Sequence, residues 1–341
     1  MYPLKFRPVF QKRIWGGQRL RAVLGKPVEN GAIGESWELA DLPAGTVKGD
    51  SVGAAADGSL ASVVTNGANA GRTLHDVLRA DASVVMGNAA LIHGHFPLLI
   101  KFLDAQQDLS VQVHPSRAYA AAHANAHLKS EAWYVLHAEP GAKIYKGVKP
   151  GVTREAFRAA LERGEVEPLL NAIRVRAGDC HYLESGTVHA LGAGILAAEV
   201  QTPSDTTFRV FDWNRLGPDG KPRKLHVEEA LECIDFSADQ DVAPTEVPAG
   251  SSNVTRLVTC EFFTLDRVRL GQGEALAIPG GEPRVWIVLE GQGVINCEGN
   301  GPTAFTKGDT MLLPAGMRNG RMNTVTDCAW LEVKLPGSAN K

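Results

Sequence analysis

Two stretches of this chain repeat one another, and the repeat narrows the fold more than any other feature. RAGDCHYLESGTVHALG, residues 176–192, matches TKGDTMLLPAGMRNGRM, residues 306–322, when Gly178-Asp179 is laid on Gly308-Asp309. Gly186 then meets Gly316, and His189 meets Asn319. Upstream, EAWYVLHAEPGA aligns with RVWIVLEGQGV, so that Trp133, Val135 and Leu136 meet Trp286, Val288 and Leu289, while Glu131 meets Arg284. Each copy reads as strand, tight turn, strand, which predicts two related β-barrels. The apolar positions persist in both copies, but two groups able to bind a metal persist only in the first. Core positions exchange apolar for apolar, so the first copy reads as a site and the second as scaffold.

A chain of 341 residues has room for two such units. With 44% apolar and 21% charged residues it is neither disordered nor fibrous. A formal charge of -3 leaves no basic footprint for nucleic acid. No apolar run is long enough to span a bilayer and the start lacks the centre of a signal peptide, which predicts a cytoplasmic protein with no membrane partner. Cys180, Cys233, Cys260, Cys297 and Cys328 are odd in number and never form a CxxC pair, so they are expected to be reduced thiols.

Along the chain, residues 1 to about 50 read as short strands broken by Gly and Pro, and 51–70, rich in Ala, Gly, Ser and Asn, as a loose surface insertion. Thr73 and Asp76 ahead of Leu74, Val77 and Leu78 predict an N-capped amphipathic helix. From Phe96 onward short apolar strands alternate with turns. A helical hairpin interrupts them at about 151–173, where Phe157, Leu161, Val166, Leu169 and Leu170 follow a helical period. LHVEEALECI predicts a further helix. The expected organisation is a metal-binding domain over 1–237, a Pro- and Ala-rich linker over 238–252, and a C-terminal domain without metal over 253–341.

Gln112 and His114 are two apart on a predicted strand and therefore share a face. Glu131 opens the next strand and His189 closes a later one, so a barrel could converge all four on its interior. Two imidazoles, a carboxylate and an amide oxygen suit Zn²⁺ and leave a position open for water or substrate, with Mn²⁺, Co²⁺ or Fe²⁺ able to substitute. His75, His93, His95, His123, His127, His137, His181 and His226 lack the support of the repeat and are read as ordinary polar residues.

With RIWGG, IGESWEL, PLLIKFLDA, LSVQVHP, LKSE, GTVHALG and AEVQTPSDTTFR, the sequence resembles the type I mannose-6-phosphate isomerases in their short bacterial form, from Trp15 to the end of the chain. The resemblance implies a mainly β fold of two cupin-type barrels (jelly rolls) with a small helical insertion. It implies one zinc per chain at Gln112, His114, Glu131 and His189. It places Glu199, Ser204, Asp205 and Arg209 on the family's downstream acidic, Ser-Asp and Arg positions, and Trp15, Glu35, Lys101, Ser110 and Lys129 on the pocket wall. Many members have His-Lys-Pro-Glu before the zinc carboxylate; here the run is Leu128-Lys129-Ser130-Glu131, so a proton-transfer role for that His has no counterpart.

The implied reaction interconverts mannose 6-phosphate and fructose 6-phosphate through an enediol, which requires stabilised negative charge on O1 or O2. Zinc and Arg209 would supply it. Glu199 and Asp205 are both candidate proton carriers, or either could orient Arg209 or Lys129. Lys101, Lys129 and Ser110 would receive the phosphate, and Trp15 or Trp37 could stack on the sugar. The alternatives are a different metal-dependent cupin enzyme such as an iron oxygenase, disfavoured by the fourth ligand Gln112, an isomerase of a related sugar, and a non-catalytic sugar sensor. The expected partner is a small sugar phosphate, and nothing demands more than a monomer.

Overall fold

A computed structural model describes the chain except for residues 30, 48–50, 125, 218–219, 238–252 and 337–341. The expected linker, 238–252, lies outside the described residues. The fold is mainly β, and each repeat copy contributes two hydrogen-bonded sheets.

In the first half a five-stranded sheet has the order Leu170–Arg174, Lys143–Val148, His189–Leu191, Val111–Val113 and Phe208–Phe211. A six-stranded sheet runs Cys180–Leu183, Glu131–Ala138, Ile195–Gln201, Leu99–Ala105, Val9–Gly17 and Ile33–Leu39. Period-two alternation gives each sheet two faces. Trp133, Val135, Ile195, Ala197 and Leu103 of the larger sheet pack with Ile144 and Leu191 of the smaller one. On the far side of the smaller sheet, Val111, Val113 and Val210 pack against Phe157 and Ala160 of the helix Arg154–Arg163 and Leu231 of the helix Val227–Cys233. Ala132, Tyr134, Ala198 and Val200, on the far side of the larger sheet, share a core with Trp286, Val288, Leu331 and Val333 of the second half.

The second half repeats the plan with a six-stranded sheet, which contains Arg284–Glu290, Thr310–Leu313 and Cys328–Lys334, and a four-stranded sheet. The two copies agree atom for atom at the turn: Val135 donates to the Asp179 carbonyl and Val288 to the Asp309 carbonyl, both at 2.9 Å. Gly178 and Gly308 take φ of +98° and +89°, a backbone that a side chain would strain, which explains why both copies hold Gly there.

Three local expectations need revision. The helical hairpin is one helix, Arg154–Arg163, ended by Gly164 in the left-handed conformation; a 3₁₀ turn follows, and Leu170–Arg174 is a strand beside Lys143–Val148. The free edge of that strand outweighed the local helical period. The stretch 51–70 is pinned rather than loose: the Gln11 amide exchanges two 2.9 Å hydrogen bonds with the Val52 backbone, and Leu60 is buried beside Trp37 and Leu42. Finally, Leu4–Lys5 pairs with Met311 and Leu312, so the chain's first strand belongs to a sheet of the second half, an exchange that contiguous units do not anticipate. The helix Leu74–Met86 begins with the expected cap, Thr73 and Asp76 bonding each other's backbone reciprocally. All five cysteines are free.

Candidate active site

The first-half sheets enclose a cleft of about 410 Å³. In the smaller sheet Gln112 is registered with His189 on one side and Arg209 on the other. Val111 and Val113 face the helices, so Gln112 and His114 face the larger sheet. Opposite them Trp133, Glu199 and Lys101 form one register row, with Glu131 two residues before Trp133.

Beneath the cleft His114, Glu131 and His189 are fully buried and bring their ligand atoms within 4.8 Å of one another. His114 Nε2 is 3.3 Å from Glu131 Oε2, and His189 Nε2 is 3.3 Å from Glu131 Oε1. Gln112 Nε2 lies 3.4 Å from His189 Nε2, which brings the amide to the same point. Each imidazole is oriented from behind: Nδ1 of His114 faces the Thr206 carbonyl at 3.1 Å and that of His189 the Thr187 carbonyl at 2.8 Å. A proton on each Nδ1 leaves both Nε2 lone pairs aimed at Glu131, the arrangement of metal-ligating histidines. His114 Nε2 and Glu131 Oε1 are buried without a hydrogen bond. Such groups are costly unless something binds them, and this donor set fits a divalent zinc-like ion.

Charge around the cluster is tightly balanced. Lys129 Nζ is 2.7 Å from Glu131 Oε2. Burial alone would raise the Glu131 carboxyl, but Lys129 outweighs it and holds the group well below the usual carboxylate range. Lys129 moves oppositely: burial disfavours its charge, and Glu131 and Glu199 more than restore it. Burial, reinforced by Lys129, lowers His114 to about 3, so its imidazole is neutral and able to donate a lone pair. Glu199 is pushed up by burial and then by Glu131; one oxygen accepts from Trp133 Nε1 at 3.0 Å and the other lies 3.4 Å from Lys101 Nζ.

Of the residues singled out from sequence, Trp15, Glu35, Lys101, Ser110, Gln112, Lys129, Glu199, Asp205 and Arg209 all line the cleft. Ser204 is buried beside it, its hydroxyl 3.3 Å from the His127 carbonyl. Trp37 is not on the cleft wall: it is fully buried, with Lys101 Nζ 4.8 Å above its ring and its Nε1 donating to Glu35 at 2.7 Å. It therefore supports Lys101 instead of meeting a sugar face. Glu35 is also spoken for. Burial would raise it, yet Arg13 at 2.7 Å and Lys101 hold it down at about 2.

Arg209 has no ion pair with Asp205; its Nε donates to Ser110 at 3.3 Å and one terminal nitrogen to the Lys224 carbonyl at 2.9 Å. Burial and the neighbouring Arg223 lower it to about 10. A desolvated guanidinium bonded to neutral acceptors is well suited to an anion. The structure adds Arg13, Ser51, Thr207, Arg223 and Lys224 to the wall. Arg13 could have been found from its period-two spacing to Trp15. The run GKPRKLH signals charge, but only the fold brings Arg223 and Lys224 to the cleft mouth.

Comparison with known proteins agrees with this geometry. Residues 3–141 match the profile of the phosphomannose isomerase type I catalytic domain. Mannose-6-phosphate isomerase ManA of Bacillus subtilis is 37% identical over 329 residues, 96% of this chain and 97% of that protein. The mannose-6-phosphate isomerase of Streptococcus mutans is 36% identical over 313 residues, 92% of each. The crystal structure of the mannose 6-phosphate isomerase from Bacillus subtilis superposes with a TM-score of 0.82 at 30% identity, covering 98% of this chain and 99% of that one. The apo enzyme from Salmonella typhimurium, at 17% identity and a TM-score of 0.71 over 98% and 99% of the chains, shares the fold. On this similarity along nearly its whole length, the chain belongs to the type I phosphomannose isomerase family.

Proposed function

We propose that this chain interconverts mannose 6-phosphate and fructose 6-phosphate through an enediol, with one zinc ion held by Gln112, His114, Glu131 and His189. The observation that carries the reading is the convergence of the His114 and His189 Nε2 atoms on the Glu131 carboxylate, each at 3.3 Å, directly beneath a cleft lined by Arg13, Lys101, Lys129, Arg209, Arg223 and Lys224. When bound, zinc would act as a Lewis acid toward the sugar's carbonyl end.

The protein's own groups divide the remaining work. The cations at the mouth suit the phosphate, and Arg209, not neutralised by a carboxylate, is placed to stabilise negative charge on a sugar oxygen. Two carboxylates line the cleft besides Glu35. Glu199 is fastened to Trp133 and Lys101, and Glu332 makes the same tryptophan bond in the second copy, where no cluster of metal-ligating groups forms among the described residues. On this reading Glu199 holds Lys101, and Asp205, which also lines the cleft, would move the proton between C1 and C2.

The test is conversion of mannose 6-phosphate by purified protein before and after chelation, with zinc restored and His189→Ala assayed alongside. Zinc-restored turnover that is absent from the variant supports the reading. Zinc that wild type binds and His189→Ala loses, without turnover of this sugar by wild type, overturns the substrate assignment.

A further inference from the structure

A second convergence of metal-ligating atoms lies outside the cleft. Asp41 is buried on the short strand Asp41–Leu42, directly after the strand that carries Glu35. His75 sits in the first turn of the helix Leu74–Met86, placed there by the Thr73–Asp76 capping box. His95 ends a tight loop closed by reciprocal hydrogen bonds with Ile92 at 3.0 and 2.9 Å. Three segments distant in sequence thus deliver one ligand atom each.

The distances suit an ion. Asp41 Oδ1 is 3.2 Å from His75 Nδ1 and 3.1 Å from His95 Nδ1, and all three atoms lie within 4.8 Å of one another. A tetrahedral ion with bonds near 2.0–2.1 Å sets its donors about 3.3 Å apart. The two rings stack with centroids 4.5 Å apart and planes within 22°. The other carboxylate oxygen accepts the Phe96 backbone N–H at 2.9 Å, which turns Oδ1 toward the imidazoles. His75 Nδ1 is buried, and its 3.2 Å approach to Asp41 Oδ1 is not a hydrogen bond, so the cluster is not closed by its own hydrogen bonds. The imidazoles are partly open, at 31% and 17% side-chain exposure, so an ion and a completing water can enter from solvent.

We propose that Asp41, His75 and His95 form a second divalent-metal site, selective for imidazole-preferring ions such as Zn²⁺. It is a structural clip. It fastens the start of the helix and the loop before Leu99–Ala105, the strand bearing Lys101, to the strand that follows Glu35.

The experiment counts zinc on the full chain after equilibration with micromolar zinc and gel filtration. It compares wild type, His75→Ala/His95→Ala, and His114→Ala/His189→Ala. The clip predicts two zinc ions on wild type and one on each double variant, with mannose 6-phosphate turnover retained by His75→Ala/His95→Ala. If the cleft binds no metal, wild type still carries one ion and the clip variant none, so this reading and the cleft reading fail separately. Equal zinc on wild type and the clip variant overturns the clip. Single His75→Ala and His95→Ala variants, each expected to lose one equivalent, give the same decision should a double variant misfold.

Discussion

Trp133 and Trp286 occupy equivalent strands and each donates its indole N–H to a buried glutamate, Glu199 at 3.0 Å and Glu332 at 2.9 Å. Around that shared bond the charges are inverted. Next to Glu199 stands Lys101, and across the site Glu131 faces two imidazoles. In the second copy Asp266 takes the register position of Lys101, Arg284 that of Glu131, and Lys334 that of Gln201. Lys334 lies 2.9 Å from Glu332 and 3.1 Å from Asp266, and Arg256 also pairs with Asp266. These charges thus have opposite neighbours, and among the described residues no group of histidine, cysteine or carboxylate ligand atoms converges there. Asn319, opposite His189 in the repeat, is exposed on a turn at φ +50° and donates to Glu298 at 2.7 Å. Charge pairing is thus common to both copies, and what sets the first apart is the pair of imidazoles facing its carboxylate.

The contrast is most sharply tested at the ligands. Glu131→Ala and His189→Ala should each lose one zinc equivalent, that of the cleft, and about 10³-fold or more in kcat/KM, corresponding to several kcal/mol of charge stabilisation. Asn319→Ala should change turnover by less than about twofold, as is usual for substitutions away from a site. Metal analysis beside steady-state kinetics checks both. Comparable losses at positions 189 and 319 would show that the copies are not functionally distinct.

Next in size is the division between the two carboxylates. Asp205→Asn should lower kcat about 10²–10⁴-fold, the range of a general base, and slow exchange of the substrate C2 proton with solvent in proportion. Glu199→Gln should mainly weaken substrate binding through Lys101. Faster loss of exchange in Glu199→Gln than in Asp205→Asn would reverse the assignment.

Glu35 yields a stability prediction with a defined pH window. Its side chain is 12% exposed and its folded pKa, about 2, lies below the model-peptide value of 4.5, so the ionised form is favoured by folding. This contribution, roughly 3 kcal/mol, is fully present above about pH 5 and is lost as pH falls from there toward 2. Urea midpoints should therefore separate wild type from Glu35→Gln at pH 6, narrow by pH 3 and converge only as the pH approaches 2. A gap that is constant with pH would mean the carboxylate charge is not what stabilises the fold.

The smallest effect belongs to the second copy. Glu332→Gln leaves Lys334 and Arg284 short of a partner and should cost about 1–3 kcal/mol of stability, while kcat/KM stays within about twofold. A large kinetic loss there would mean that the second copy reaches the site.

Much of this organisation is legible in the chain. The repeat could be found because turn glycines and alternating apolar residues are local requirements that each copy meets separately. Gln112 and His114 share a face by strand period alone, and Thr73 with Asp76 announces its helix. Leu170–Arg174 does not announce its strand, because five residues of mixed pattern fit either period and only the neighbouring strand edge chooses. Likewise Gln11 and Val52 look unremarkable until the fold sets an amide against a backbone.

The sequence by itself thus determined the β pattern, the duplicated plan and the residue types for a metal, since these follow from period and chemistry within a few residues. Only the tertiary structure decided that Leu4–Lys5 joins the second half, that Arg223 and Lys224 reach the cleft mouth, and that Asp41, His75 and His95 meet. Such meetings depend on register and packing between segments tens or hundreds of residues apart, and no local propensity encodes the distance between them.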